Sequence, residues 1–168
     1  MILIAANLLI YASIEGFAQH PRARDWLNGQ LAGIRGVGLP WETLLAFLRV
    51  VTNPRALTRP VPIADAWSQV VAWLDQPRVW VPAPTERHPE ILGELVAATG
   101  ARADLVHDAH LAAMAIGHGL TLCSADRDFA CFPSLRWENP WRISQPPAFP
   151  LPRSPCPNHR LRGLAGGP

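Results

Sequence analysis

Lysine is absent from this chain of 168 residues, and all 15 of its basic residues are arginine. Mechanisms that require a lysine are therefore excluded: the Walker A phosphate loop, a Schiff-base nucleophile, and the phosphate-sensing lysine of aspartyl-phosphate proteins. The sequence also lacks a G-x-S-x-G elbow, a G-x-G-x-x-G loop and an H-E-x-x-H zinc helix. The usual signatures of serine hydrolases, dinucleotide-binding enzymes and zinc proteases are thus missing.

Cysteines and long apolar runs are scarce as well. The three cysteines, Cys123, Cys131 and Cys156, are odd in number and show no paired spacing, which argues against a disulfide framework or a zinc site. The apolar opening segment lacks a positive leader, is interrupted by Asn7, and is shorter than the roughly 20 residues that span a bilayer. We therefore expect a cytoplasmic protein in a reducing environment, without a membrane segment.

The charge balance is close to neutral, with 15 basic and 13 acidic residues, so no overall field indicates a nucleic acid, a membrane or an acidic substrate. Residues 145–168 hold seven of the 18 prolines and three arginines, and no acidic residue. Proline removes backbone donors and blocks helices. We predict a folded, slightly acidic domain over residues 1–143 and a disordered, Pro/Arg-rich tail over residues 144–168.

Within this domain, short apolar runs alternate with longer helical patterns. The predicted strands span 2–5, 36–39, 79–81, 121–123 and 135–137. The predicted helices span 7–13, 20–31, 63–74, 89–99 and 104–118, with a further helix that begins at Pro40. Strands that alternate with helices indicate an α/β fold with a parallel sheet and helices on both faces.

The helix that begins at Pro40 carries an apolar stripe at helical spacing, which we expect to face the core. The stripe consists of Trp41, Leu44, Leu45, Leu48 and Val51. We interpret the tryptophans of the chain as packing residues or partner surface rather than as platforms for base stacking.

Polar residues that follow apolar strands are candidate site residues, because ligands of such sheets bind beyond the carboxyl ends of the strands. Asn7 follows the first strand, and Ser124, Asp126 and Asp128 follow the strand at 121–123. Two acids also stand isolated within apolar helical patterns. These are Glu42 and Asp108.

Asp104 and Asp108 lie four residues apart, so both carboxylates share one helix face. Carboxylates collected at one place must be protonated, hydrated or bound to a cation. Mg²⁺ suits such a site because it prefers hard oxygen ligands and keeps several waters. A carboxylate-held Mg²⁺ with phosphate as a further ligand is an arrangement that hydrolyses phosphodiesters.

Structural interpretations compete with this one. Asp104 is suited to the start of a helix, Asp126 and Asp128 to a turn, and Glu42 to a first helical turn that faces the helix dipole. Asp108 is harder to explain structurally, since an unpaired acid buried in mid-helix costs several kcal/mol. The histidines at 107, 110 and 118 lack the spacing of a zinc helix and are interpreted as surface or core-edge residues.

Taken in order, these motifs resemble those of the VapC toxins, ribonucleases of the PIN-domain family found in bacterial toxin–antitoxin pairs. The family opens with a strand and the pattern Asp-x-Asn, which aligns with Ala5-Ala6-Asn7. Its second acid is similar to Glu42, its third to Asp108 in Asp-Ala-His-Leu-Ala-Ala-Met-Ala, and its fourth to Asp126 in Ser-Ala-Asp-Arg-Asp-Phe. The resemblance extends from the first residue to about residue 142.

The resemblance implies a PIN-like three-layer sandwich and Mg²⁺-dependent endonucleolytic cleavage of RNA that leaves a 5′-phosphate and a 3′-hydroxyl, with Mn²⁺ as a possible substitute. Implied catalytic and metal-binding residues are Asp108, Asp126 and Glu42, with Asp128 in support. Residues implied to support these acids are Asn7, Ser124 and Asp104. Candidate contacts to the RNA backbone are Arg102, Arg127 and Arg136. The implied partners are a second copy of the chain and a small VapB-like antitoxin.

One departure from the family pattern is serious: the first acid of the family falls on Ala5, which offers no oxygen to a metal. We therefore expect either a ribonuclease impaired by this alanine or a catalytically dead PIN module that binds antitoxin or RNA without turnover. A phosphatase or phospho-receiver on a similar sheet would need Asp-x-Asp after the first strand or an accompanying lysine, and the chain has neither.

Overall fold

The computed structural model describes residues 1–141. The predicted domain boundary at 143/144, the predicted tail over 144–168 and Cys156 lie outside the described residues. None of the helices within residues 1–141 is long and apolar enough to cross a membrane.

The centre of the fold is a sheet of five strands in the order β3-β2-β1-β4-β5. The strands are β1 (Ile2–Ile4), β2 (Val37–Gly38), β3 (Val79–Trp80), β4 (Thr121–Cys123) and β5 (Trp137–Glu138). All four neighbouring pairs are parallel. In the central strand, Leu3 lies between Gly38 on one side and Leu122 on the other. The parallel sheet inferred from the alternation of elements is confirmed.

Within residues 1–141, six α-helices cover the two faces of this sheet. They are α1 (Ala6–Ser13), α2 (His20–Ala32), α3 (Trp41–Val51), α4 (Ile63–Leu74), α5 (His88–Thr99) and α6 (Asp104–Gly117), and a short 3₁₀ helix spans Asp128–Cys131. Ile2 and Ile4 pack with α1 to α4, whereas Leu3 packs with α5 and α6. Alternate residues of β1 thus serve opposite faces, as the pleat of a strand requires. The result is a three-layer sandwich.

The predicted elements are all present, but some of their details were wrong. The last strand lies at Trp137–Glu138 rather than at 135–137. In α3, the predicted core stripe is confirmed in part: Leu44 and Val51 are buried, whereas Trp41 and Leu45 are 44% and 58% exposed and Phe47 is buried instead. Because α3 is apolar on more than one side, its periodicity alone does not determine which side meets the sheet.

The strand ends bring several segments to one edge of the sheet. Since the strands are parallel, their carboxyl ends share this edge, which we call the carboxyl edge. Ala5 follows β1 directly, Glu42 lies in the first turn of α3 after β2, and Ser124 follows β4. Helix α6 runs into β4 through a short turn and therefore starts near this edge, with Asp108 in its second turn. The fold thus places Glu42, Asp108 and the segment after β4 at the same edge of the sheet.

Candidate metal centre

Three carboxylates converge at the carboxyl edge. One oxygen each of Asp108, Asp126 and Asp128 lies within 4.8 Å of the others. Asp108 and Asp128 are half-buried, and Asp126 is exposed. We call these three residues the Asp cluster. Residues separated by up to 20 positions in the sequence thus form a group of hard oxygen donors of the kind that divalent cations prefer.

The Asp cluster is electrostatically strained without a cation. The pKa of Asp108 is raised from 3.8 to about 6, first by desolvation and then by the negative charges of Asp126, Asp128 and Asp104. The contribution of Asp104 agrees with its position one helical turn before Asp108. A bound cation would offset this repulsion and favour the ionised form of the cluster.

Hydrogen bonds hold the segment that carries two of the three acids. The Ser124 hydroxyl oxygen accepts bonds from the Asp126 backbone N–H, at 3.1 Å, and from Asn7 Nδ2, at 2.9 Å. Asp126 Oδ1 accepts the backbone N–H of Asp128 at 3.0 Å. Ser124 and Asn7 were expected to bond the carboxylates; instead Ser124 bonds the Asp126 backbone and Asn7 bonds the Ser124 hydroxyl.

Asn7 offers a test of whether the site fits a hydrated metal ion. Its Oδ1 atom is buried and has no hydrogen-bond partner among the described residues 1–141. A buried carbonyl oxygen without a donor costs free energy, and a metal-bound water is a donor of the kind it lacks. Three converging carboxylates and an unsatisfied oxygen on Asn7, which bonds Ser124, fit Mg²⁺, which is bound through a few carboxylates and retains water.

Glu42 lies outside the Asp cluster and contacts His110 instead. Its Oε1 atom is 3.3 Å from His110 Nε2, and His110 Nδ1 is 3.0 Å from His88 Nε2. His110 had been interpreted only as a surface or core-edge residue, and His88 was missed. No local signal links these two histidines, because they are 22 positions apart on different helices.

The strand order explains the separation of Glu42 from the Asp cluster. Glu42 follows β2 and Asp126 follows β4, and β1 lies between these two strands. The residue at the end of β1 is Ala5, which is 3% exposed. The central position of the carboxyl edge is therefore occupied by a methyl group, with acids on both sides.

The three arginines predicted to contact RNA lie in different places. Two of them are exposed near the carboxyl edge: Arg102, which comes just before α6, and Arg127, which lies between Asp126 and Asp128 in the sequence. Arg136 precedes β5, so it lies toward the opposite edge of the sheet, where its guanidinium donates to the carbonyl of Gly119. Its placement does not support a shared role with the other two.

Fold and site together define a three-layer α/β protein with a carboxylate cluster at the carboxyl edge of a parallel sheet. The family model of the PIN domain matches residues 2–133. Ribonuclease VapC37 of Mycobacterium tuberculosis is 40% identical over 140 residues, which cover 83% of this chain and 97% of that protein. Ribonuclease VapC33 of the same organism is 40% identical over 142 residues, which cover 84% and 99%. The chain belongs to the PIN-domain family, within its VapC group.

Solved structures agree with this fold. The structure of VapBC2 from Rickettsia felis, bound to a DNA fragment from its promoter, matches with a TM-score of 0.61 and 21% identity, covering 83% of this chain and 98% of that chain. VapC20 of Mycobacterium tuberculosis, described as a toxin that cleaves the sarcin-ricin loop, matches with a TM-score of 0.56 and 20% identity, covering 81% and 99%. The PIN-like sandwich expected from the resemblance is confirmed.

Proposed function

We propose that this chain is the ribonuclease toxin of a toxin–antitoxin pair, that it acts in the cytoplasm, and that it cleaves RNA with the help of Mg²⁺, for which Mn²⁺ can substitute. Relatives that are 40% identical over nearly their whole length carry the name ribonuclease. The observation that carries the proposal is the Asp cluster, whose three oxygens lie within 4.8 Å of one another.

The residues of the carboxyl edge have different proposed roles. Asp108, Asp126 and Asp128 would hold the ion, and Glu42 would bind it or orient a water from the other side. Ser124 keeps the Asp126 backbone in place through the bond described above. A bound Mg²⁺ supplies a Lewis acid that activates water and offsets negative charge on the phosphodiester.

Arginine side chains near the carboxyl edge would meet the RNA backbone. Arg102 and Arg127 are exposed there, and Arg127 stands between two acids of the Asp cluster. Their guanidinium groups are suited to bidentate contact with phosphate. Arg136, which bonds the Gly119 carbonyl, is left out of this role.

Ala5 supports a reduced activity and also favours the second candidate, a catalytically dead PIN module that binds antitoxin or RNA. The methyl group at the centre of the carboxyl edge provides no ligand between Glu42 and the Asp cluster. We expect weak metal binding and slow cleavage by the chain as it stands, and we expect a carboxylate at this position to strengthen both.

The test compares the wild-type chain with Ala5→Asp and with the matched control Ala5→Asn, which has nearly the same shape without the charge. Mn²⁺ binding is measured by calorimetry and cleavage by assay on structured RNA, with and without EDTA. Ala5→Asp is expected to bind Mn²⁺ more tightly than both other proteins and to cleave RNA in an EDTA-sensitive manner. Equal inactivity of all three proteins would refute the ribonuclease proposal, whereas clear Mg²⁺-dependent turnover by the wild-type chain would refute the dead module.

The proposed protein partners are a small antitoxin and a second copy of the chain. Helix α4 exposes Ile63, Trp67 and Val71 at intervals of four residues, so they form one apolar row. Rows of this kind are typical of surfaces that contact another protein. Light scattering on the purified chain, alone and co-expressed with its antitoxin, measures the mass of the homodimer and of the antitoxin complex. A monomer in both preparations would refute both proposed partners.

A further inference from the structure

The His88, His110 and Glu42 side chains form a chain of contacts that links helices α5, α6 and α3. His88 lies at the start of α5 and is buried, and its ring meets that of His110 edge to face with a centroid distance of 4.7 Å. His110 on α6 is 22% exposed at its side chain, and Glu42 on α3 is 36% exposed. Since α3 covers one face of the sheet and α5 and α6 cover the other, these contacts join the two outer layers.

The chemistry of the end groups determines where the protons lie. An ionised carboxylate only accepts hydrogen bonds, so a His110 ring that orients Glu42 carries its proton at Nε2, which faces Glu42. A neutral His110 then has a bare Nδ1, which accepts the Nε2–H of His88 across 3.0 Å. Burial, followed by the neighbouring His110, lowers the pKa of His88, which agrees with a neutral ring at this place.

Glu42 itself needs such a partner to be held in one direction. It stands in the first turn of α3, where the backbone fixes the Cα but leaves a long side chain with several rotatable bonds free. The Glu42 Oε1 atom lies 3.3 Å from His110 Nε2, but the two atoms are not aligned as a hydrogen bond, and His110 Nε2 has no hydrogen-bond partner among residues 1–141. The buried His88 restricts the ring that faces Glu42.

We propose that His110, with its ring held by His88, is a positioning residue that orients the Glu42 carboxylate at the metal site. This inference rests on the proposed function, because it assigns Glu42 to the metal or its water. His110 acts only through Glu42. Neighbours that orient metal ligands commonly change metal affinity about 10- to 100-fold when they are removed.

The first experiment needs no metal. In ¹⁵N-histidine NMR spectra of the full chain, His110 is expected as the tautomer protonated at Nε2, and Glu42→Leu is expected to shift its ring nitrogen signals. The exposed His107 on the same helix is the internal control and should not shift. A His110 protonated at Nδ1, or signals that Glu42→Leu leaves unchanged, would overturn the proposal.

The second experiment measures Mn²⁺ affinity in the Ala5→Asp background, where the centre of the carboxyl edge is complete. His110→Leu is expected to weaken binding about tenfold. His110→Gln is expected to recover most of this loss, because an amide N–H can replace Nε2–H toward Glu42. The matched control His107→Leu should bind as the parent does.

The outcomes separate the two proposals. Equal Mn²⁺ affinity in the parent, His110→Leu and His110→Gln proteins would overturn the positioning role and leave the metal centre intact. If the Ala5→Asp protein binds no Mn²⁺, the proposed function fails, and a positioning role at the metal site fails with it. In that case the NMR tautomer shows whether the contact itself exists.

Discussion

Asp108→Asn should stabilise the metal-free protein at neutral pH, although it removes a proposed metal ligand. Asp108 has a pKa of about 6 in the folded chain, against 3.8 for an unperturbed aspartate. The Asp108 carboxyl therefore binds its proton more tightly in the folded state than in the unfolded state. This difference stabilises the folded state below pH 3.8, and the stabilisation is lost as the pH rises toward 6. Asparagine carries no charge, so the variant does not lose this stability as the pH rises.

The size of the effect follows from the shift. A change from 3.8 to about 6 corresponds to about 3 kcal/mol when the whole shift is expressed as stability. Asp108 is only half-buried and water screens its neighbours, so we expect about 1 kcal/mol. The gain should appear above pH 6 and vanish near pH 4.

Urea unfolding in EDTA, at pH 4 and pH 7.5, measures this difference directly. With added Mg²⁺, the unsubstituted chain should become more stable than Asp108→Asn, because Mg²⁺ stabilises only the protein that binds it well. If Asp108→Asn is no more stable than the wild-type chain at pH 7.5 in EDTA, the cluster is not strained and the electrostatic reasoning is wrong. If Mg²⁺ stabilises both proteins equally, Asp108 is not a ligand.

The remaining predictions concern packing and backbone. Leu122→Ala should lower the free energy of unfolding by about 2–5 kcal/mol, because this side chain is fully buried in the central sheet, whereas Leu45→Ala on the exposed side of α3 should change it by less than about 0.5 kcal/mol. Gly117→Ala should destabilise the protein, since the new Cβ would lie 2.8 Å from Thr85 Oγ1. Gly93→Ala, an exposed mid-helix position with open space, should stabilise it by up to about 1 kcal/mol. Denaturant unfolding of the four variants measures these changes in the free energy of unfolding. A Gly117→Ala variant that is more stable than the parent would contradict the predicted clash with Thr85 Oγ1.

Local pattern was sufficient for the order of elements. Helix α4 lies at Ile63–Leu74 and strand β4 at Thr121–Cys123, where the periodicity placed them. Strand ends followed by acids, together with Asp108 in the helix before β4, also indicated a carboxylate site. Each of these features depends on residues close together in the chain, for which composition and spacing carry the information.

Local pattern was not sufficient for contacts between distant segments. Glu42 and Asp126 were predicted to share one cluster, but their strands are separated by β1, and Glu42 contacts His110 instead. The buried side of α3 was predicted only in part for a related reason: Trp41 and Leu45 are exposed and Phe47 is buried, because packing against the other elements orients the helix. Strand order and helix orientation arise only when the layers pack.

The sequence by itself therefore determined an alternating α/β chain with acids at the ends of its strands and an alanine at the first of these positions. The tertiary structure alone decided that Asp108, Asp126 and Asp128 meet within 4.8 Å and that Ala5 stands between them and Glu42. The physical reason is that periodicity records which side of each element is apolar, whereas distances between side chains depend on the order in which the strands pair.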